Sequence, residues 1–167
     1  MARCLIVGCG CRGLALADVL RQRGHAVRGT TRDSGRRATL EAAGVQAVVG
    51  DPDRVATIAP AFAHVGVMCV LLGSAIGDRE RLSALHGPRL QMLLERMLDT
   101  TVRGVVYECV GSVEWEILQA GAERLRRACA RSLIPVVMLT ADPRDHVSWP
   151  LAAAAAVERA LLDQPAR

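Results

Sequence analysis

A glycine-rich segment near the amino terminus has the residue types and spacing of a phosphate-binding loop. Residues 8–13 read Gly-Cys-Gly-Cys-Arg-Gly and match the pattern G-x-G-x-x-G. In this pattern Gly8 permits a tight turn, Gly10 lets the backbone approach a pyrophosphate, and Gly13 lets a helix pack closely on a strand. N–H groups at the start of that helix then face the anion. We therefore predict a dinucleotide site here; the alternative is a glycine-rich turn that binds no ligand.

The residues at the end of the predicted second strand favour one dinucleotide over another. About twenty residues beyond such a loop, NAD-binding proteins usually carry an acid and NADP-binding proteins an arginine. This chain has Thr31 and Arg32 there, so we predict that Arg32 contacts a 2′-phosphate and that the cofactor is NADP. A charge-assisted contact of this kind contributes about 1.5–3 kcal/mol. Asp33 offers the alternative of a bond to a ribose hydroxyl, which keeps NAD open.

Other side chains near the loop are expected to border the phosphates. Arg12 is predicted to touch the pyrophosphate, and Cys11 to line the site at the helix N-terminus. Cys11 is either a redox-sensitive thiol or a small side chain tolerated beside the phosphates. Arg36 and Arg37 either reinforce Arg32 or form a solvated helix face.

The distribution of charge agrees with a phosphate site in the first third of the chain. Residues 1–50 contain eight arginines against three acids, whereas the remaining residues contain thirteen arginines against fourteen acids. No basic stripe interleaved with aromatic residues is present, so we expect no nucleic-acid partner. The excess positive charge thus falls in the segment predicted to bind phosphates.

Length and composition predict one α/β domain with an aliphatic core, spanning residues 1–167. Half the residues are hydrophobic, but only four are Phe, Trp or Tyr, which suits a parallel sheet covered on both faces by helices. No apolar run reaches the roughly 18 residues that span a bilayer, and the chain starts directly in a strand. We therefore expect a cytoplasmic protein with no membrane partner. The six cysteines form no C-x-x-C pair and are interpreted as small hydrophobes.

Strands and helices are predicted to alternate along the whole chain, which positions the loop at the end of a central strand. Right-handed crossovers then favour a doubly wound Rossmann fold with a six-stranded parallel sheet in the order 3-2-1-4-5-6. Predicted strands lie at about 4–7, 26–31, 45–49, 65–72, 102–107 and 136–139, and predicted helical segments at about 12–23, 34–43, 53–62, 78–86, 88–98, 113–131 and 146–162.

Two stretches, GHAVRGTTRD at 24–33 and LEAAGVQAVVGD at 40–51, resemble the extended and atypical short-chain dehydrogenase/reductases, which include nucleotide-sugar-epimerase-like proteins. The resemblance implies that Asp51 lies by the adenine and that Leu72, Gly73 and Ser74 flank the adenosine ribose. It also implies a homodimer. Its architecture covers roughly residues 3–140, but its motifs are specific only within about 3–52.

The chain departs from that family where the family's chemistry resides. The family uses a Ser or Thr after the fifth strand and a Tyr-x-x-x-Lys on the next helix. This sequence has no lysine, and Tyr107 is predicted inside the fifth strand; Ser112 lies near the family's serine but lacks partners. The family's C-terminal substrate domain has no counterpart before Arg167. Catalytic residues are therefore not assigned.

Other residues are expected at the crevice beyond the strand ends. Glu108 and Cys109 are a potential base and thiol, although a helix cap and a buried thiol are the favoured interpretations. His86 is interpreted as a helix-end residue, and the four histidines have no metal-ligand spacing. The remaining expected lining residues are Cys9, Cys11, Ser74, Ser112, Asp142 and His146.

Three functions follow as alternatives. The first is a small NADP-dependent oxidoreductase of atypical mechanism. The second is a non-catalytic redox sensor, resembling the nitrogen-repression regulators of the same family, which the missing relay supports. The third is a ligand-gating domain like those that regulate potassium channels, but this would require an acid at the end of the second strand, which the sequence lacks.

Overall fold

Six parallel strands form one sheet in the order β3-β2-β1-β4-β5-β6, which confirms the predicted fold class. The computed structural model describes residues 1–163. Each strand is short and pairs with its neighbours on both sides or, at the sheet edges, on one side. The strands are β1 (Arg3–Val7), β2 (Ala26–Thr31), β3 (Gln46–Val49), β4 (Val67–Val70), β5 (Gly104–Glu108) and β6 (Val136–Leu139).

The α-helices lie between the strands, as expected, with local differences. Residues Ser34–Arg36 form a 3-10 turn rather than α-helix, because the Asp33 carboxylate accepts a hydrogen bond from the Gly35 N–H at 2.8 Å. The predicted helix near 53–62 is two 3-10 turns, Val55–Thr57 and Ala59–Phe62. The helices are α1 (Cys11–Gln22), α2 (Arg37–Ala42), α3 (Arg79–Ala84), α4 (Leu90–Leu98), α5 (Trp115–Ala130) and α6 (Ser148–Leu162).

The break predicted between residues 86 and 88 is a kink within a nearly continuous helical segment. A π-turn, Leu85–Arg89, joins α3 to α4, and Gly87 has non-helical dihedrals of φ −109° and ψ −107°. Pro88 causes this, since it disfavours helical geometry at the residue before it and donates no backbone hydrogen bond.

The core has two layers, one on each face of the sheet, because successive strand residues point to opposite faces. On β1, Leu5 and Val7 belong to the layer covered by α4 and α5, while Cys4 and Ile6 belong to the layer covered by α1 and α6. Five of the six cysteines are buried, and Cys11 is exposed. No helix among the described residues is long and apolar enough to cross a membrane.

Candidate functional site

The glycine loop connects β1 to α1 in the geometry that close approach to a ligand requires. Gly8 has a φ of +84°, and a Cβ there would lie 2.8 Å from the Leu71 carbonyl oxygen, so only glycine fits. A Cβ on Gly13 would lie 3.1 Å from Cys9 Sγ, which shows how closely α1 packs on the loop. By contrast, a Cβ on Gly10 would meet no heavy atom within 4 Å. The backbone at Gly10 therefore faces open space.

The first turn of α1 presents backbone donors that have no partner. The N–H groups of Cys11, Arg12 and Gly13 find no acceptor within residues 1–163, since the first bond of the helix runs from the Leu14 N–H to the Gly10 carbonyl at 2.9 Å. No side chain caps this turn and no acid lies in it. Unpaired N–H groups and the helix dipole together favour an anion at this position.

A cleft of about 420 Å³ opens directly at these donors. Its charged lining residues are four arginines, and no carboxylate lines it. Two of the arginines are held by acids: Arg12 pairs with Glu108, and Arg81 pairs with Asp53 at 2.9 Å. The other two, Arg32 and Arg36, form no ion pair or side-chain hydrogen bond with any other described residue. The cleft is thus suited to a ligand with several negative charges.

A groove of about 420 Å³ shares Thr31, Arg32 and Arg36 with the cleft at the end of β2, and it contains two acids. Thr31, Arg32, Asp33, Arg36 and Asp51 line it. One oxygen of Asp33 accepts from the Gly35 N–H at 2.8 Å, and one oxygen of Asp51 accepts from the Asp53 N–H at 2.9 Å. Both acids therefore have local structural roles, while both guanidinium groups are available.

The predicted site residues do not all reach the cleft. Leu72 lines it, whereas Gly73 lines neither cleft nor groove and is buried. The Gly73 N–H donates to Glu108 Oε1 at 2.8 Å. Arg37 pairs with Glu41 at 3.0 Å on the exposed face of α2, in line with the solvated-face interpretation. Of the residues that the resemblance assigns to the adenosine, Leu72 lines the cleft and Asp51 lines the groove.

Glu108, the last residue of β5, is completely buried and bound to Arg12. Both carboxylate oxygens accept from Arg12 Nη2, at 2.9 and 3.1 Å, and Arg12 Nη1 donates to Ser74 Oγ at 3.3 Å. Burial raises the pKa of Glu108, while Arg12 and the Gly73 N–H act in the opposite direction. The helix-cap interpretation of Glu108 is therefore wrong: its carboxylate joins the ends of β4 and β5 to the start of α1.

Cys109 is buried beside it but points away from the crevice. Its Sγ contacts the Leu139 carbonyl at 3.4 Å, and burial raises the pKa of the thiol. The favoured interpretation of Cys109 as a buried thiol agrees with this. Since both residues are buried and line neither the cleft nor the groove, they do not form an accessible base and thiol pair.

A second cavity of about 580 Å³ lies on the other side of Arg12, beyond the ends of β5 and β6. Of the residues expected at the crevice, it gathers Ser74, Ser112, Asp142 and His146. Asp142 is paired with the exposed Arg144 at 2.9 Å. Its polar lining thus comprises hydroxyl groups, one histidine, Arg12 and the Asp142–Arg144 pair. Within residues 1–163, no group of three or more His, Cys, Asp or Glu side chains is arranged to hold a metal ion.

The tyrosine and a histidine form a buried pair that sequence analysis missed. His86 Nε2 lies 3.1 Å from the Leu72 carbonyl, and His86 Nδ1 lies 2.7 Å from the Tyr107 hydroxyl. Because a carbonyl only accepts, Nε2 donates to it and Nδ1 accepts the Tyr107 proton. Burial lowers the pKa of His86 and raises that of Tyr107. A Cβ on Gly121 would overlap the Tyr107 hydroxyl. This glycine in the middle of α5 is the sequence signal that a bulky group packs against the helix there.

Solved structures share this fold. A short-chain dehydrogenase/reductase superfamily protein from Agrobacterium tumefaciens with bound NAD matches 81% of this chain and 48% of its own, with a TM-score of 0.66 and 22% identity. UDP-glucuronic acid 4-epimerase from Bacillus cereus in complex with NAD matches 81% of this chain and 54% of its own (TM-score 0.63, 14% identity). The Citrobacter sp. triphenylmethane reductase complexed with NADP(H) matches 81% and 48% (TM-score 0.61, 18% identity).

These matches confirm, at the level of the fold, the resemblance seen in residues 24–51. The chain spans about half the length of these proteins. No protein-family profile and no curated protein matches the chain. NAD is bound in the first two of these solved structures and NADP(H) in the third; for this chain, likeness at these identities shows the fold.

Proposed function

We propose that this chain is a single NAD(P)-binding domain that holds NADP or NADPH at the carboxyl edge of its sheet. One observation carries the proposal: three unpaired N–H groups of α1 open into a cleft whose charged lining residues are all arginines. The donors of Cys11, Arg12 and Gly13 suit a pyrophosphate, and the open backbone at Gly10 gives it access. Leu72 and Asp51 border the space that the adenosine would occupy.

The choice of NADP over NAD rests on two arginines at the end of β2. Arg32 and Arg36 line both the cleft and the groove and have no acidic partner among the described residues. A 2′-phosphate would provide one, whereas a ribose hydroxyl would leave both guanidinium groups unpaired. Asp33, the residue that could favour NAD, already caps a turn through one oxygen.

Calorimetric titration with NADPH and NADH tests this choice. Arg32→Ala should weaken NADPH binding about 10- to 100-fold, which corresponds to the roughly 1.5–3 kcal/mol of a charge-assisted contact, and should leave NADH binding unchanged. Arg37→Ala is the matched control, because that arginine lies one helical turn away and is already paired with Glu41. Equal losses in both variants, or no binding of either nucleotide at millimolar concentration, would refute the proposal.

For the reaction, we propose an oxidoreductase of atypical mechanism. Bound NADPH supplies a hydride, and reduction of a carbonyl also needs a proton at its oxygen. Tyr107 does not serve, since it lies in the sheet core and is bonded to His86. His146 lines the second cavity, and imidazole is the side chain most often used for proton transfer to a reacting group. His146→Gln should then abolish NADPH consumption with carbonyl substrates while leaving NADPH binding intact.

The burial of Tyr107 also favours a second candidate, a non-catalytic sensor of the NADP redox state. A sensor requires only that the oxidised and reduced cofactors bind with different affinities. If NADP and NADPH differ at least tenfold in affinity and no carbonyl is reduced, the sensor function is supported. Steady NADPH consumption with any small carbonyl supports the enzyme instead.

We further propose a homodimer, on the resemblance described above, and a cytoplasmic location, on the lack of an apolar run of bilayer length in the sequence. Met92 is an exposed apolar residue on the outer surface of α4, and methionine is enriched at protein–protein interfaces. Light scattering coupled to gel filtration tests the dimer directly, and a monomeric mass at micromolar concentration would exclude it.

A further inference from the structure

The guanidinium of Arg12 stands at the boundary between the two cavities. Arg12 and Ser74 are the two residues that line both the cleft and the second cavity, and they are joined by the bond from Arg12 Nη1 to Ser74 Oγ at 3.3 Å. A ligand longer than the cleft must therefore pass this contact to enter the second cavity.

The side chain of Arg12 is held in place by a buried and specific set of partners. Glu108 is completely buried and receives both of its Arg12 bonds from Nη2. On its other side the guanidinium lies over the indole of Trp149, 5.3 Å from the ring centroid, a favourable cation–π distance. Gly73 adds the third bond to the carboxylate. The arrangement is far more constrained than a surface ion pair.

This arrangement restricts the donors that Arg12 can offer a phosphate. Nη2 bonds to both oxygens of Glu108, Nη1 bonds to Ser74, and Nε is buried without a partner among the described residues. Moving the guanidinium away from the boundary between the two cavities would break its bonds to Glu108 and leave a buried carboxylate without its cation. The backbone N–H groups of the loop, by contrast, are already free.

We propose that the Arg12–Glu108 pair selects ligands by length. This inference rests on the proposed NADP site. A nucleotide that ends within the cleft, such as adenosine 2′,5′-bisphosphate, binds with the pair intact. A dinucleotide that extends into the second cavity has to displace Arg12, and breaking the Arg12–Glu108 pair lowers its net affinity.

The test compares adenosine 2′,5′-bisphosphate with NADPH by calorimetry on the wild type and on Glu108→Gln. In the wild type the bisphosphate should bind at least as tightly as NADPH. The amide introduced by Glu108→Gln can still accept from the Gly73 N–H but holds Arg12 weakly, so the variant should gain at least tenfold in NADPH affinity while its bisphosphate affinity changes less than twofold. Glu114→Gln is the matched control, because it removes the acid of an exposed ion pair with Arg79 that lines neither cavity.

Each outcome is decisive. An NADPH-to-bisphosphate affinity ratio that rises in Glu108→Gln alone supports the selection; a ratio that is unchanged, or that rises equally in Glu114→Gln, overturns it. Should Glu108→Gln fail to fold, the double variant Arg12→Gln/Glu108→Gln, which buries no charge, is measured with the same criterion. If the wild type bound neither adenosine 2′,5′-bisphosphate nor NADPH, the proposed NADP site itself would be refuted.

Discussion

Removal of Arg12 should destabilise the fold by an amount that depends strongly on pH. In Arg12→Ala, Glu108 stays completely buried but loses the cation that donates hydrogen bonds to both its oxygens. The Glu108 carboxylate then has two choices: to remain charged at a cost of about 3–5 kcal/mol, or to take up a proton. Because protonation removes the buried charge, the electrostatic cost of Arg12→Ala cannot exceed the free energy needed to protonate Glu108 at the given pH.

The free energy of protonating Glu108 follows from the linkage between proton binding and folding. An unfolded glutamate titrates near its ordinary pKa of 4.5, and each pH unit above that value adds about 1.36 kcal/mol to the cost of keeping it neutral. At pH 7 the electrostatic penalty is therefore at most about 3.4 kcal/mol, and at pH 5 it is about 0.7 kcal/mol. The folded variant binds more protons than the unfolded chain in this window, so its stability falls as the pH rises.

Urea denaturation at pH 5, 6, 7 and 8 measures the effect, with fluorescence of the buried Trp149 as the signal. The double variant Arg12→Ala/Glu108→Gln should lose the pH dependence while keeping the smaller, pH-independent loss from the indole contact. Arg37→Ala, which breaks an exposed pair, should cost less than about 1 kcal/mol at every pH. A destabilisation of Arg12→Ala that is the same at pH 5 and pH 8 would show that Glu108 does not carry a buried charge.

Three further outcomes are expected. Cys11 should be the one thiol of six that native-state alkylation labels quickly, because the others are buried, and saturating NADPH should slow that labelling at least tenfold; rapid labelling of a second thiol would contradict the burial. Leu133→Gly should raise the free energy of unfolding by about 0.5–1 kcal/mol, since Leu133 is 72% exposed at a φ of +53°; a lower melting temperature would refute this. Burial lowers the pKa of His86, so its contribution to stability is present above the ordinary value of 6.5 and is lost as the pH falls below it. His86→Gln should accordingly flatten the decline in stability between pH 7 and 5 relative to the wild type, and an unchanged slope would exclude His86 as its source.

The elements of this fold could be predicted because each depends on a local signal. The buried strands are short apolar runs, and the glycines that close α1 and α2, Gly24 and Gly44, both adopt the positive φ that ends a helix. The predicted helix at 34–43 was wrong at its start because local hydrogen bonds compete there: the Asp33 carboxylate favours a 3-10 turn over the first turn of an α-helix. Such a choice is decided by about 1 kcal/mol, which periodicity does not resolve.

The two buried polar pairs could not be predicted in the same way. Arg12 and Glu108 are 96 residues apart, and His86 and Tyr107 are 21 apart. An acid at the end of a fully buried strand does indicate that a cation must lie near it. Identifying that cation, however, requires knowing that β1 and β5 flank β4 in the sheet and end at the same edge.

The same distinction separates the two halves of the proposed site. About half of the residues that line the cleft come from residues 8–36, where loop, helix start and strand end follow one another in sequence, so pattern and spacing predict a dinucleotide site. The second cavity is lined by Arg12 and by residues of the loops after β4, β5 and β6, whose side chains meet only in the folded chain. The proposed nucleotide site could therefore be predicted from the sequence, whereas the proposed roles of His146 and of the Arg12–Glu108 pair could not. Measurements on Arg12 and Glu108 therefore test whether a bound nucleotide extends from the cleft into the second cavity, which the glycine loop alone does not determine.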